Sequence, residues 1–218
     1  MRLGVGRRVY RRTPGERDGV PPVHEIRLGG GRAGDYDPGR MTRRRIAIVS
    51  TGGTIEKIYD ELQGVLENRV SNLDILLASL RLEGVELVRV PLMNKDSLEM
   101  TPGDHTLIAE TAGSMAAVHD GVVIVHGTDR LTVTGERIVE VLDTPRVPIV
   151  LTGAMRPFAM RVSDASQNMT EALLAVQLVT PGVWVAMHNR VLRFPGVVKD
   201  RQRMTFVRRE ELEPRPAH

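Results

Sequence analysis

The sequence contains no cysteine among its 218 residues. That absence excludes disulfides, a thiol nucleophile and thiolate metal sites, and makes a reducing cytoplasm the simplest expected home. No run of 18 or more apolar residues occurs, so no membrane-spanning helix is expected. Met1 to Val20 carries arginines, Glu16 and Asp18 but no apolar segment, so neither a secretory signal nor an organelle transit peptide is expected. Aromatic residues make up only 3%, too few for the stacking platforms that hold single-stranded nucleic acid. The six histidines, His24, His105, His119, His126, His188 and His218, form no i, i+4 pair around a glutamate, so no metal site is expected. No Gly-x4-Gly-Lys or Gly-x-Gly-x-x-Gly loop follows the first strand-like run, and Ser97 lies outside any Gly-x-Ser-x-Gly elbow.

The net charge of +3 is unevenly placed. The first forty residues hold nine arginines against five acidic residues, and the remainder holds 21 basic and 22 acidic residues. The body is therefore nearly neutral and offers no electrostatic footprint for nucleic acid. Residues 1–40 are rich in Gly, Pro and Arg and lack apolar periodicity. Such a segment buries too little surface to offset the entropy of ordering it. A disordered basic extension is expected at 1–40, with Met41 as the natural start of the folded body. A basic arm for a partner is the other reading of the same residues. The charged, proline-bearing segment 201–218 is expected to end outside the core.

From Met41 the pattern alternates. Short β-rich apolar runs occur at Ile46–Val49, Val85–Leu92, Gly121–Val125, Val147–Leu151 and Val183–Met187. Helical periodicity occurs at Leu73–Leu82, Asp104–His119, Gly135–Leu142 and Ala165–Val179. This alternation predicts an α/β fold of three layers, a parallel flavodoxin- or Rossmann-like sheet with helices on both faces. Right-handed crossovers are expected throughout. All five strands end in polar residues: Thr51–Thr54, Asn94-Lys95-Asp96-Ser97, His126–Asp129, Thr152–Pro157, and His188-Asn189-Arg190 with Lys199-Asp200 beyond. In such a sheet these ends share one rim, where ligands sit.

Two of those ends carry hydroxyls beside glycines. In Ser50-Thr51-Gly52-Gly53-Thr54 the glycines allow positive φ and close approach of a ligand to the backbone. Thr54 is then a candidate nucleophile, although a threonine there can equally cap a turn. In His126-Gly127-Thr128-Asp129 a second hydroxyl adjoins a carboxylate. Thr128 can attack or position water, and Asp129 can hold an ammonium group. Alternatively Asp129, with Thr132 or Thr134, caps the next helix. Lys199 is a candidate activator of a hydroxyl or an ordinary surface lysine, and His126, at the end of an apolar strand, reads as a structural histidine.

Taken together, Thr51-Gly52-Gly53-Thr54-Ile55, His126-Gly127-Thr128-Asp129 and Thr152-Gly153-Ala154-Met155-Arg156-Pro157, followed by Ser163-Asp164-Ala165 and Asn168, resemble the amino-terminal domain of the bacterial-type L-asparaginase family. The resemblance runs from about Met41 to Asp200 and implies a catalytic domain over 41–200. It implies hydrolysis of L-asparagine to L-aspartate and ammonia without a cofactor. By this resemblance Thr54 is similar to the attacking threonine, and Thr128 and Lys199 to a second threonine and its lysine partner. Asp129 is similar to the residue that binds the substrate's α-ammonium. Asp96 and Ser97 resemble the loop that holds the α-carboxylate, and Gly53 and Gly127 belong to the substrate-binding turns. Tyr59 is similar to the activating tyrosine of the lid loop, which the family usually places further along. The family's sites lie at subunit interfaces, so a homo-oligomer, dimer or tetramer, is implied. Members carry a second domain after the region of Lys199, where this sequence has only Arg201–His218, so weaker substrate affinity is expected. Glutamine as the preferred substrate, an amidotransferase component acting on aminoacyl-tRNA, and a non-catalytic amino-acid-binding module are the alternatives.

Overall fold

The computed structural model describes residues 43–56, 58–60, 65–67 and 72–212, with side chains at all of these except 56, 58–60 and 65–67. The expected extension at 1–40 lies outside the described residues. The chain runs β1 (Arg44–Ser50), β2 (Ile58–Asp60), β3 (Val65–Glu67), α1 (Asn72–Ser79), β4 (Val85–Pro91) and α2 (Pro102–Ala116). It continues through β5 (Gly121–Val125), α3 (Leu131–Leu142), β6 (Pro148–Thr152), α4 (Ala165–Leu178), β7 (Gly182–Met187), β8 (Arg190–Arg193), β9 (Val197–Asp200) and β10 (Thr205–Arg208). All five strand-like runs and all four helical patterns of the sequence are present. The sheet has the order β4-β1-β5-β6-β7-β8. Its first five strands are parallel, and β8 returns antiparallel to β7.

Burial of both sheet faces explains why the strands read as continuous apolar runs rather than alternating ones. In β1, Ala47 and Val49 face one core with α2 and α3, while Ile46 and Ile48 face the other with α1 and α4. The same division runs across the sheet: Ile124, Leu151 and Val185 face the first core, Val123 and Val150 the second. Helix α2 starts in a reciprocal capping box between Thr101 and Asp104, with Pro102 in its first turn, an arrangement that satisfies two otherwise orphaned N–H groups.

One crossover departs from the expected hand. From β1 to β4 the chain moves toward one sheet edge, with α1 in the second core. From β4 to β5 and from β5 to β6 it moves the other way, with α2 and α3 in the first core. These three connections share one hand. From β6 to β7 the chain keeps moving the same way, yet α4 packs in the second core. The β6–α4–β7 connection therefore has the opposite hand to the other three. Since right-handed crossovers dominate overwhelmingly, this one is left-handed, and the expectation of uniform right-handedness is corrected.

The segment after Asp200 also differs from expectation. Thr205–Arg208 pairs antiparallel with β9, and Phe206 and Val207 are buried, Phe206 among the first core cluster. The charged residues around them mask a two-residue apolar anchor. Between β7 and β8, His188 and Asn189 have φ of 54° and 59°. Two positive-φ residues are what the twist of a two-residue hairpin requires, so these polar residues make a turn.

Phe194 packs so closely on α3 that a Cβ on Gly135 would overlap its ring. Alanine is normally favoured over glycine in a helix by about 1 kcal/mol. Here Gly135→Ala is expected to destabilise by about 1–3 kcal/mol through overpacking, measured by urea unfolding followed through the fluorescence of Trp184. A more stable variant would contradict this packing.

Candidate active site

The site forms where the sheet reverses direction. The chain leaves β1 toward β4 and comes back to β5 on the other side of β1, so the loops after β1 and β5 diverge around a crevice. Thr51–Thr54 and His126–Asp129 are those two loops. Thr51 is tied down by its N–H and its hydroxyl, both donating to the Val125 carbonyl at 3.0 Å. Gly52 and Gly53 have φ of 94° and 86°, which side chains rarely tolerate. Space demands glycine as well: a Cβ on Gly53 would lie 2.5 Å from the Gly127 nitrogen, and one on Gly52 would lie 2.6 Å from the Lys95 nitrogen. A Cβ on Gly127 would lie 2.6 Å from Ser97 Oγ, and one on Gly153 would strike the His126 carbonyl. The ends of β1, β4, β5 and β6 are thus stacked backbone against backbone.

Lys199 enters from β9. Its Nζ donates to Thr128 Oγ1 at 2.8 Å and to Asp129 Oδ1 at 2.9 Å. The Lys199 side chain is only 11% exposed and that of Asp129 34%, so an ammonium, a hydroxyl and a carboxylate share a largely dry corner. Arg201 lies further out, 3.8 Å from the same carboxylate oxygen. Helix α3 begins at Leu131 without a side-chain cap, so Asp129 turns to Lys199 instead of capping the helix. Thr54 opens a short 3-10 turn over Thr54–Glu56 and is half-buried. Ser97 is buried against Gly127 and opens the turn Ser97–Glu99, which Asp96 caps by accepting from the Leu98 N–H at 3.0 Å. Lys95 steadies that loop through Asp104 at 2.7 Å and holds the Asp104 carboxyl down at about 2. Tyr59 lies in β2 opposite Leu66, and its side chain is outside what the structure describes.

Two buried polar networks hold the rim, and neither was assigned from the sequence. In the first, Asp164 accepts from the N–H groups of Met155 and Arg156, from Asn168 Nδ2 at 2.8 Å and from His188 Nε2 at 2.8 Å. Burial pushes the Asp164 carboxyl up, but the Met155 N–H, His188 and the Arg156 N–H outweigh it and its pKa is lowered. Asn168, fully buried, also donates to the Gly153 carbonyl at 2.9 Å and accepts from the His188 N–H at 3.1 Å. It joins the end of β6 to the end of β7. In the second network, His126 Nδ1 meets the Gly127 carbonyl at 2.8 Å and His126 Nε2 meets Thr134 Oγ1 at 2.7 Å. Thr134 Oγ1 then meets His105 Nδ1 at 2.7 Å. The signal in the sequence is a polar residue inside an apolar stripe: Asn168 beside Met169 and Ala172, Thr134 between Leu131 and Ile138, His105 ahead of Ile108 and Ala109. Among the described residues no His, Asp or Glu cluster could hold a metal ion, and no helix is long and apolar enough to cross a membrane.

Comparison with known proteins adds independent information. A family model described as asparaginase, N-terminal, matches residues 45–206. An L-asparaginase of Thermococcus kodakarensis is 33% identical over 150 residues, covering 68% of this chain and 45% of that protein. A glutamyl-tRNA(Gln) amidotransferase subunit from Methanobrevibacter smithii is 35% identical over 156 residues, covering 71% of this chain and 35% of that protein. The chain thus spans less than half the length of these relatives. Among solved structures, the thermostable L-asparaginase from Thermococcus kodakarensis superposes with a TM-score of 0.64 at 31% identity, covering 71% of this chain and 47% of that one.

The buried histidines predict how stability responds to acid. Burial lowers the His126 pKa from 6.5 to about 4 and lowers that of His105 in the same sense. Between those values the unfolded chain binds the proton that the folded chain refuses. Stability is therefore complete above pH 6.5 and falls as pH drops toward about 4, by about 3 kcal/mol from His126. Urea unfolding at a series of pH values measures this, and His126→Gln is expected to flatten the profile across that window.

Proposed function

We propose, from the premise that this chain belongs to the asparaginase family through its N-terminal domain, that it hydrolyses the side-chain amide of L-asparagine to L-aspartate and ammonia. The observation that carries this reading is the contact of Lys199 Nζ with Thr128 Oγ1 and Asp129 Oδ1, in a loop that touches the backbone of Gly53 next to Thr54. The whole chain's substrate and activity rest on that proposal.

In it, Asp129 receives the substrate's α-ammonium and the loop of Asp96 and Ser97 its α-carboxylate. The carboxamide carbon then lies toward Thr54. The Thr54 oxygen adds to that carbon, its proton passes to the amide nitrogen, and charge gathers on the amide oxygen. Backbone N–H groups around Gly53 and Thr128 are the donors placed for that oxyanion. Collapse expels the nitrogen, carrying that proton, as ammonia and leaves an ester on Thr54. Water near Thr128 then adds to the ester, its proton is relayed through Thr128 and Lys199 to the departing Thr54 oxygen, and L-aspartate leaves with the Thr54 hydroxyl restored. A homo-oligomer and a cytoplasmic setting belong to the same proposal.

A second reading has its own support. The similarity to a subunit of a glutamyl-tRNA(Gln) amidotransferase favours an ammonia-releasing role within a larger assembly, with asparagine or glutamine as the amide source. One methylene between those amides is worth only about 1–3 kcal/mol in a pocket. Ammonia release from each amide, assayed separately on the whole chain, decides which of them is the preferred source. Binding of aspartate by calorimetry without ammonia from either amide would point instead to a binding module.

Thr54→Val is expected to abolish ammonia release while the circular dichroism spectrum stays unchanged. A folded, active variant would remove Thr54 from the role of nucleophile. Lys199→Met is expected to lower kcat by about 10²–10⁴ and to change aspartate binding much less.

A further inference from the structure

The hydrogen bonds around His126 have one consistent polarity. The Gly127 carbonyl can only accept, so His126 Nδ1 carries the proton. The ring is buried and neutral at ordinary pH, so Nε2 is a bare acceptor. Thr134 must then give its hydroxyl hydrogen to Nε2. With that hydrogen committed, Thr134 Oγ1 is left to accept from His105 Nδ1. This makes His105 Nε2 bare as well, and that atom is buried without a hydrogen-bond partner among the described residues. The chain ends where its polarity says it must. The two rings lie stacked, 16° apart in plane with centroids separated by 6.3 Å.

What this chain grips is one peptide group. The Gly127–Thr128 peptide is trans and planar, so its C=O and N–H point in opposite directions. A carbonyl pinned by His126 turns the Thr128 N–H away from the ring. That N–H makes no hydrogen bond among the described residues. Gly53 packs against the preceding peptide, close to the Gly127 nitrogen and Cα, so the turn is held from that side as well as by His126.

We propose that His105, Thr134 and His126 are positioning residues that lock the Gly127–Thr128 peptide so that the Thr128 N–H is held ready for the oxyanion of amide hydrolysis. The inference rests on the amidohydrolase reading above. Thr134 is its pivot, because its hydroxyl donates to one histidine while accepting from the other. Valine has nearly the same shape and no hydroxyl. A purely structural Thr134 would affect stability and leave turnover alone.

The test compares Thr134→Val and Thr134→Ser in the full chain, with ammonia release from asparagine and long-range ¹H–¹⁵N spectra of the histidine rings. Thr134→Val is expected to lower kcat tenfold or more with KM changed less than threefold, and Thr134→Ser to restore most of it. In the wild type, His126 is expected to show a protonated Nδ1 and an unprotonated Nε2, with the Nε2 resonance shifted in Thr134→Val, where that nitrogen loses its donor. A folded Thr134→Val with kcat within twofold of wild type overturns the proposal, as does a wild-type spectrum with the proton on His126 Nε2. Should Thr134→Val fail to fold, His105→Asn against His105→Leu makes the same comparison one step back. Asparagine sets an N–H where His105 Nδ1 was and is expected to retain activity, and leucine sets none and is expected to lose it. A wild-type chain that releases no ammonia sinks the functional reading and with it any catalytic use of the lock, whereas the ring spectra still decide its polarity.

Discussion

Two loops can share a crevice only if nothing stands between them, and among the described residues nothing separates Gly53 from Gly127. The backbones after β1 and β5 meet at Gly53 and Gly127, and Ser97 closes on Gly127 from the β4 side. Any Cβ at these positions would force loops apart by more than a hydrogen bond tolerates. This backbone contact is what brings Thr54 and Thr128, far apart along the chain, to one place. The reversal of the sheet supplies the opening, and the glycines set how narrow it is. Lys199 then reaches in from outside the main sheet, carried by a hairpin whose apolar anchors are Val197, Phe206 and Val207. A shielded lysine–carboxylate pair adds little to stability. Its value here is that it fixes an ammonium beside a hydroxyl.

The left-handed connection through α4 gives the rim its fourth side. Because α4 lies in the second core beside α1, its first turn comes up under the end of β6 and delivers Asp164 and Asn168 beneath two loops at once. Asn168 satisfies Gly153 and His188 together, and Asp164 gathers Met155, Arg156 and His188. A buried amide with every group paired specifies one arrangement of its neighbours. Beyond the last ladder pair, Leu151 with Val185, that amide ties the loops that end β6 and β7 to each other.

Much of this was legible in the sequence. Five apolar runs and four amphipathic patterns announce the layers, since strands buried on both faces and helices buried on one leave different periodicities. The polar residues at all five strand ends mark the rim. Less visible was whatever depends on the far partner. The crossover hand is a relation between three elements and leaves no local trace. β9 and β10 have four residues each, too few to show a period among arginines. Thr134, His105 and Asn168 look like weak spots in apolar stripes until the neighbouring stripe is known. Asp129 is the clearest lesson: its neighbours suit a helix cap, yet the position of Lys199, seventy residues later, decides where its carboxylate turns.

The stacked turns also restrict how this chain can drift. A side chain appearing at Gly53 must be met by retreat of the loop holding Gly127, and one at Gly127 by retreat of Ser97. Single exchanges at the rim are blocked, and only concerted ones remain open. Variation that retunes which molecules the crevice admits has to accumulate around these turns, on side chains facing outward from them, while the turns themselves stay frozen as a set.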